Sequence, residues 1–284
     1  MLRTSVARGV ACREVRACAF GENVARRNLV GKIIAIANQK GGVGKTTTAI
    51  NLGGALAQIG KRVLCLDLDP QANLTVGLGV DITTVDKNIA DVLIDPEVPL
   101  ASIIRATKTK HLDVAPATLE LSAAEVELFN AIGREMALRD KVTPEIAQRY
   151  DYILIDCPPT LGLLTLNALV ASDGVIIPVQ TQYYSLKGVA ALLRIINTVK
   201  GRLNPNLKVY GLLPTFYDSR TILARDMLDS LKELGDHQVF DTIIRQSVKV
   251  GEAPTAGVPI TTYDKKSDAA KAFVDLAKEV VRAH

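Results

Sequence analysis

A short glycine-rich segment with two lysines and two threonines contains the residue types best suited to chemistry. Its residues are Lys40, Gly41, Gly42, Val43, Gly44, Lys45, Thr46 and Thr47. Glycines allow successive backbone N–H groups to converge on phosphate oxygens, and a helix that begins after them adds its dipole. In such a loop Lys45 neutralises β- and γ-phosphate charge, and the Thr46 hydroxyl binds Mg²⁺. The segment therefore predicts a site for a nucleoside triphosphate and Mg²⁺.

Aspartates follow two aliphatic runs that are predicted to be strands. Asp67 and Asp69 come after the run 63–66, and Asp156 comes after the run 152–155. Acids just beyond the strands of a parallel sheet lie at the edge where ligands bind. A carboxylate there can hold Mg²⁺, usually through water, so Asp156 is predicted to be a metal ligand. For Asp67 and Asp69, the capping of a turn or helix is the alternative role.

Short aliphatic runs alternate with helical patterns from Lys32 onward. The predicted strands are Ile33–Ala37, Val63–Asp67, Leu112–Ala115, Tyr152–Asp156, Gly174–Val179 and Val209–Leu213. The predicted helices are Thr46–Ile59, Leu119–Arg149 (with breaks), Leu161–Ala171, Ser185–Lys200, Thr221–Leu234 and Lys266–Arg282. This alternation predicts an α/β fold, with a doubly wound, mostly parallel sheet flanked by helices. The glycine-rich segment lies between the first strand and the first helix, which favours a phosphate loop over a turn without a ligand.

Composition limits the class of protein. Apolar residues make up 48% of the chain and aromatic residues only 4%, so the core must be aliphatic. No apolar run reaches the roughly 18 residues of a transmembrane helix. The four cysteines form no Cys-x-x-Cys pair, which favours a reducing, cytoplasmic setting.

The positive charge is concentrated at the two ends of the chain. Residues 1–30 carry six Arg and two Glu, and residues 187–284 carry 15 basic and 11 acidic residues. A basic C-terminal third is compatible with binding to a polyanion. We interpret residues 1–30 as an Arg-rich leader, either disordered or the product of a start codon placed too far upstream, because a valine codon such as that of Val30 can start translation in bacteria. Residues 31–284 are predicted to form a single domain.

The phosphate loop departs from the usual spacing in one respect. Gln39 stands where a glycine is expected, and Lys40 precedes the Gly-Gly pair. In this the chain resembles the deviant Walker-A superfamily of ParA, MinD and nitrogenase iron protein. The resemblance implies that ATP drives formation of a sandwich homodimer, in which Lys40 reaches the partner's phosphates. It also implies that Asp69 orients or activates the attacking water and that Asp67 lies near the outer coordination sphere of the metal. Lys40, Lys45 and Asp69 are thus the expected catalytic residues.

The resemblance is strongest to the small ParA (Soj-like) partition proteins. It is carried by Ile33–Leu52, Lys61–Gly77, Asp151–Leu164, Leu213–Thr221 and Ile243–Pro254. It implies that Arg220 and Arg245 contribute to sequence-independent DNA binding, although surface ion pairs are an alternative for both. It further implies a ParB-like partner that stimulates hydrolysis and an association with the nucleoid. The family usually has Pro-Arg-Asn where this chain has Ile244-Arg245-Gln246.

Two alternatives remain open within the superfamily. One is a ParA-like ATPase that positions another cellular cargo, and the other is a MinD-like ATPase that acts on a membrane surface. The tail Lys266–Arg282 carries charges of both signs and a narrow apolar stripe, so it is predicted to pack against the core. We therefore expect no membrane partner.

Overall fold

A seven-stranded sheet forms the centre of the computed structural model, which describes residues 31–181, 185–233 and 237–283. The order across the sheet is β3-β4-β2-β5-β1-β6-β7, and among the described strands only the short β3 pairs antiparallel. The strands are β1 (Lys32–Ile36), β2 (Val63–Asp67), β3 (Arg105–Ala106), β4 (Leu112–Ala115), β5 (Tyr152–Asp156), β6 (Gly174–Gln180) and β7 (Lys208–Thr215). The prediction of a doubly wound, mostly parallel sheet is confirmed, and β3 is the strand that it lacked.

Helices flank this sheet on both faces. They are α1 (Lys45–Gln58), α2 (Asn73–Gly77), α3 (Ile89–Ile94), α4 (Leu121–Leu128), α5 (Ala137–Lys141), α6 (Pro144–Arg149), α7 (Leu163–Ala171), α8 (Ser185–Arg202), α9 (Ile222–Lys232), α10 (Val248–Glu252), α11 (Ile260–Tyr263) and α12 (Asp268–Ala283). The predicted helix Leu119–Arg149 is divided into three, because Gly133 takes a left-handed conformation and Thr143 caps a new helix that starts at Pro144. The helices missed by the sequence patterns, α2, α3, α10 and α11, have six residues or fewer.

The register between the central strands positions the aspartates. All five residues of β5 are buried, and β5 lies between β1 and β2. Asp156 pairs in register with Ile36 on one side and with Asp67 on the other. Because parallel strands all end at one edge, the ends of β1, β2 and β5 bring the phosphate loop and the acids together.

The C-terminal helix α12 belongs to the core. It packs against α1, and Phe273, Leu276 and Ala277 are fully buried. The prediction that the tail packs against the core is therefore confirmed. Among the residues that the structure describes, no helix has both the length and the hydropathy that would let it cross a membrane. The predicted leader, residues 1–30, lies outside the described residues.

Candidate functional site

The glycine-rich loop joins β1 to α1 and begins the site. Gly42 and Gly44 have positive φ angles of 71° and 91°, a conformation that favours glycine. Helix α1 starts at Lys45, directly after Gly44, and no side chain caps it. Its first backbone N–H groups therefore point out of the helix end without a side-chain acceptor, as an anion-binding helix terminus requires.

An open cavity of about 530 Å³ lies over this loop. Its lining residues are Gly41, Gly42, Gly44, Lys45, Thr46, Thr47, Ile50, Asn51, Asp69, Gln71, Asn73, Pro159, Phe216, Val250, Gly251 and Pro254. Polar and charged groups cluster at the loop, whereas Phe216, Val250 and Pro254 provide an apolar wall. A cavity with a polar, amide-rich end and an apolar end matches a ligand that joins phosphates to a flat base.

Asp156 has the carboxylate that most needs a ligand. Both of its oxygens are buried and have no hydrogen-bond partner within the described part of the chain. Burial raises its pKa well above the ordinary value, as does the nearby Asp67, while Thr46 and Lys45 act in the opposite direction. Oxygen ligands are what Mg²⁺ prefers, and the Thr46 side chain stands beside this carboxylate. These residues therefore fit a bound Mg²⁺.

Lys45 is the cation of the site. It is only 7% exposed, and its Nζ donates to the carbonyl oxygen of Lys40 at 3.3 Å. Burial lowers its pKa, and the nearby carboxylates of Asp156 and Asp69 offset that effect only in part. A nearly buried ammonium group gains strongly from a phosphate placed next to it, because water screens the charges less there.

The two aspartates after β2 lie in different surroundings. Asp69 lines the cavity and is 8% exposed, and its Oδ1 accepts a hydrogen bond from the Gln71 amide at 3.0 Å. Asp67 is completely buried, is not part of the cavity lining, and accepts hydrogen bonds from the chain around it. The structure therefore gives Asp69, but not Asp67, direct access to a ligand in the cavity.

Lys40 and Val43 belong to the loop but do not line the cavity. The Lys40 Nζ donates to Oε1 of Gln180, at the end of β6, at 3.4 Å. Val43 is buried, and its carbonyl oxygen accepts a hydrogen bond from the Thr215 hydroxyl at 2.8 Å. The end of β7 thus contacts the phosphate loop directly.

The two arginines expected to bind DNA lie on neighbouring segments beyond β7. Tyr217 and Arg245 pair as a parallel bridge, and Arg245 is exposed. The Arg220 side chain is 87% exposed, and it donates to both carboxylate oxygens of Asp218 at 2.9 and 2.8 Å. The ion pair that we gave as an alternative is thus present for Arg220, on a surface where a second anion could replace it.

Phe216 is one of several cavity residues that the sequence analysis did not predict. Phe216 adopts a left-handed φ of 51°, which is uncommon for a residue other than glycine. A side-chain carbon added to Gly44 would lie 3.2 Å from the Phe216 ring. This close packing of β7 on the loop gives no spacing signal, because the two segments are far apart in the sequence.

Residues 31–209 match the family model described as an AAA domain. The chain is 49% identical over 251 residues to the sporulation initiation inhibitor protein Soj of Bacillus subtilis, an alignment that covers 88% of this chain and 98% of Soj. The chain belongs to the ParA family of P-loop ATPases. The resemblance noted in the sequence is thereby confirmed.

Two further comparisons extend this assignment. This chain is 44% identical to the chromosome partitioning protein ParA of Myxococcus xanthus, in an alignment that covers 94% of this chain and 93% of that protein. It also resembles the crystal structure of cobyrinic acid a,c-diamide synthase from Mycobacterium smegmatis with a bound ATP analogue and magnesium. That likeness has a TM-score of 0.79 and 37% identity, and it covers 89% of this chain and 95% of the other.

Proposed function

We propose that this protein is a partition ATPase of the ParA type, which hydrolyses ATP with Mg²⁺. The observation that carries the proposal is the unpartnered buried carboxylate of Asp156, which lies beside Lys45 and Thr46 at the end of a loop of phosphate-binding geometry. The names of the Soj and ParA relatives support a role in partition. The M. smegmatis structure, solved with an ATP analogue and magnesium, supports the choice of cofactors.

The cavity residues and Asp156, which is buried and does not itself line the cavity, have different roles. Backbone N–H groups of the loop and the Lys45 ammonium hold the phosphates, and the apolar wall at Phe216 holds the base. Thr46 and Asp156 would hold Mg²⁺. When bound, the metal neutralises charge that develops on the phosphates. Asp69 reaches the cavity from the turn after β2 and orients the attacking water there.

Steady-state ATP turnover tests this assignment. We expect Lys45→Ala and Asp69→Ala to reduce kcat by about 100-fold or more, because each removes a charged group from the reacting phosphates. Asp86→Ala, which alters an exposed aspartate that does not line the cavity, is the matched control and should keep wild-type turnover. Wild-type protein without Mg²⁺-dependent ATP turnover would refute the assignment.

The proposal includes an ATP-driven homodimer in which Lys40 acts across the interface. Lys40 is half-buried beside Gln180 and directly precedes the cavity residue Gly41, so rotation of its side chain would redirect the ammonium group towards a second copy. Light scattering after size-exclusion chromatography should show an ATP-dependent dimer for Asp69→Ala, and a monomer when Lys40→Ala is added. Lys87→Ala, at an exposed lysine, is the control. A dimer that persists without Lys40 contradicts this part.

We further propose that the dimer binds DNA through Arg220 and Arg245, and that a ParB-like protein stimulates hydrolysis. Binding to backbone phosphates is independent of sequence and weakens with salt. DNA and lipid vesicles should therefore be compared in co-sedimentation assays, each with and without ATP. Arg220→Ala and Arg245→Ala should reduce DNA recovery, whereas Arg202→Ala at the exposed end of α8 should not. ATP-dependent binding to vesicles but not to DNA would favour the membrane alternative.

A role in partition is preferred to the activity named for the M. smegmatis structure. The name of the M. smegmatis structure gives a different activity, but its identity of 37% is lower than the 49% shared with Soj. A different cargo remains the alternative within the ParA family. Addition of a ParB-like protein should accelerate ATP turnover in the presence of DNA. The same proposal predicts association with the nucleoid, which fluorescence microscopy of a tagged protein would test.

A further inference from the structure

The carboxylate of Asp67 lies at the end of β2, is completely buried and does not line the cavity. Its Oδ1 accepts a hydrogen bond from the Asp69 amide at 3.1 Å. Its Oδ2 accepts two more, from the Thr75 amide at 2.9 Å and from the Thr75 hydroxyl at 2.6 Å. One carboxylate therefore holds both ends of the segment 69–75.

This segment contains the aspartate that faces the ligand. Between its ends, the carbonyl oxygen of Asp69 accepts from the Ala72 amide at 2.9 Å. Ala72 has a left-handed φ of 54°, which is unfavourable for a residue with a side chain. A turn with such a residue persists only where the surrounding contacts fix it. The bonds of Asp67 at both ends supply that constraint, and they set the direction in which the Asp69 side chain enters the cavity.

The Thr75 hydroxyl extends the contact to a third part of the chain. While it donates to Asp67, its oxygen also accepts a hydrogen bond from the Ala117 amide at 3.0 Å. Ala117 lies in the segment between β4 and α4. Thr75 is completely buried, so water cannot replace either bond. A hydroxyl group can donate and accept at once, whereas a valine of the same shape can do neither.

We infer that Asp67 and Thr75 are positioning residues for Asp69, and that Asp67 does not serve the metal. This replaces the role near the metal that the family resemblance implies for Asp67. A carboxylate has about four acceptor positions, and Asp67 uses three of them within the protein. Asp156, by contrast, uses none within the described residues and is available to Mg²⁺. The inference rests on the proposed function, in which Asp69 orients water.

Thr75→Val and Thr75→Ser form the decisive pair of variants. Valine removes the hydroxyl and serine retains it, so the variants differ in the bonds to Asp67 and Ala117. We expect Thr75→Val to lower kcat about tenfold, which corresponds to about 1.4 kcal/mol of transition-state stabilisation. The KM for ATP should stay within about twofold, because the groups that bind the phosphates are unchanged. Thr75→Ser should keep wild-type kcat. A lower melting temperature with unchanged kcat at 25 °C would show a structural role alone and overturn the inference.

A Mg²⁺ titration of ATP turnover separates positioning from metal binding. Asp67→Asn should lower kcat and leave the half-saturating Mg²⁺ concentration unchanged, whereas Asp156→Asn should raise that concentration about tenfold or more. An equal increase for Asp67→Asn would overturn the inference. If Asp67→Asn does not fold, the comparison of Thr75→Val with Thr75→Ser still tests whether Asp67 and Thr75 position Asp69.

The same experiments distinguish a failure of this inference from a failure of the proposed function. If the wild type does not hydrolyse ATP, or if Asp69→Ala leaves turnover unchanged, the proposed function is wrong and the inference falls with it. If Asp69→Ala abolishes turnover but folded Thr75→Val retains wild-type kcat, the inference alone is wrong.

Discussion

Replacement of Asp156 by asparagine should make the protein more stable when no metal or nucleotide is bound. Both carboxylate oxygens are buried without a hydrogen-bond partner among the described residues, and the summed surroundings raise the pKa, which means that they disfavour the ionised form. Asparagine keeps the size and removes the charge, although its amide is also left unpaired. Relief of the charge alone should increase the free energy of unfolding by about 1–2 kcal/mol. For a domain of this size, that raises the melting temperature by roughly 2–6 °C.

The assay is thermal denaturation at pH 7.5 with a chelator, and the control residue lies next to the other end of the same strand. Asp151 precedes β5 and accepts a hydrogen bond from the Arg62 amide at 2.7 Å. Burial raises the pKa of Asp151, but the hydrogen bonds and charge of Arg62 outweigh that effect and lower it overall. Asp151→Asn should therefore destabilise the protein by about 1 kcal/mol. With Mg²⁺ and ATP present, wild type should have the higher melting temperature and Asp156→Asn the lower one. Only wild type gains the full stabilisation from binding.

The pH dependence of stability tests independently whether Asp156→Asn stabilises the protein. The folded-state pKa of Asp156 is raised, so its ionisation costs stability at neutral pH, and this cost vanishes below the unfolded-state value of about 3.9. The advantage of Asp156→Asn should therefore shrink as the pH falls. The folded-state pKa of Asp151 is lowered, so the stability that Asp151 contributes at neutral pH is lost as the pH falls through that lowered value. A melting temperature of Asp156→Asn at or below that of wild type, in chelator at pH 7.5, would refute the reasoning.

Three further variants test other parts of the structure. Gly44→Ala places a residue with a side chain at a φ of 91°, which is strained, and should weaken ATP binding about tenfold in a fluorescent-nucleotide titration. Gly201→Ala adds a methyl group that meets no other atom within 4 Å and should leave ATP binding unchanged. Asp218→Asn releases Arg220 from its ion pair and should strengthen ATP-dependent DNA binding about two- to fivefold at low salt; weaker binding would contradict the DNA role. Lys141→Met removes bonds to three carbonyl oxygens in the loop after α3 and should lower the free energy of unfolding by about 2 kcal/mol, with ATP turnover unchanged.

The sequence predicted those parts of the fold and the site that depend on local pattern. The buried strand β5 is a run of aliphatic residues that ends in Asp156, and both the run and its end are visible without a structure. The phosphate loop is also local, since Gly42 and Gly44 need positive φ angles only for the turn itself. The placement of both at one sheet edge follows from the parallel order of the strands.

The remaining features depend on contacts between distant segments. Phe216 reaches the cavity only because β7 packs against the phosphate loop, and no periodicity in either segment indicates that contact. The bond from the Ala117 amide to Thr75 joins residues 42 positions apart. The two-residue strand β3 is too short to carry an alternating pattern. In each case tertiary packing determines the position, and a single sequence contains no direct record of it.

The three aspartates at the carboxyl edge of the sheet differ in how far the protein satisfies them, and this difference indicates their roles. Asp67 accepts three hydrogen bonds, Asp69 accepts one from the Gln71 amide, and Asp156 has no partner among the described residues. A buried carboxylate without a partner destabilises the fold. Such a group is retained where a ligand offsets that cost in the working state. Under the proposed function, Asp156 would receive the metal, Asp69 would keep an oxygen available for water, and Asp67 would be part of the scaffold that holds Asp69 in place.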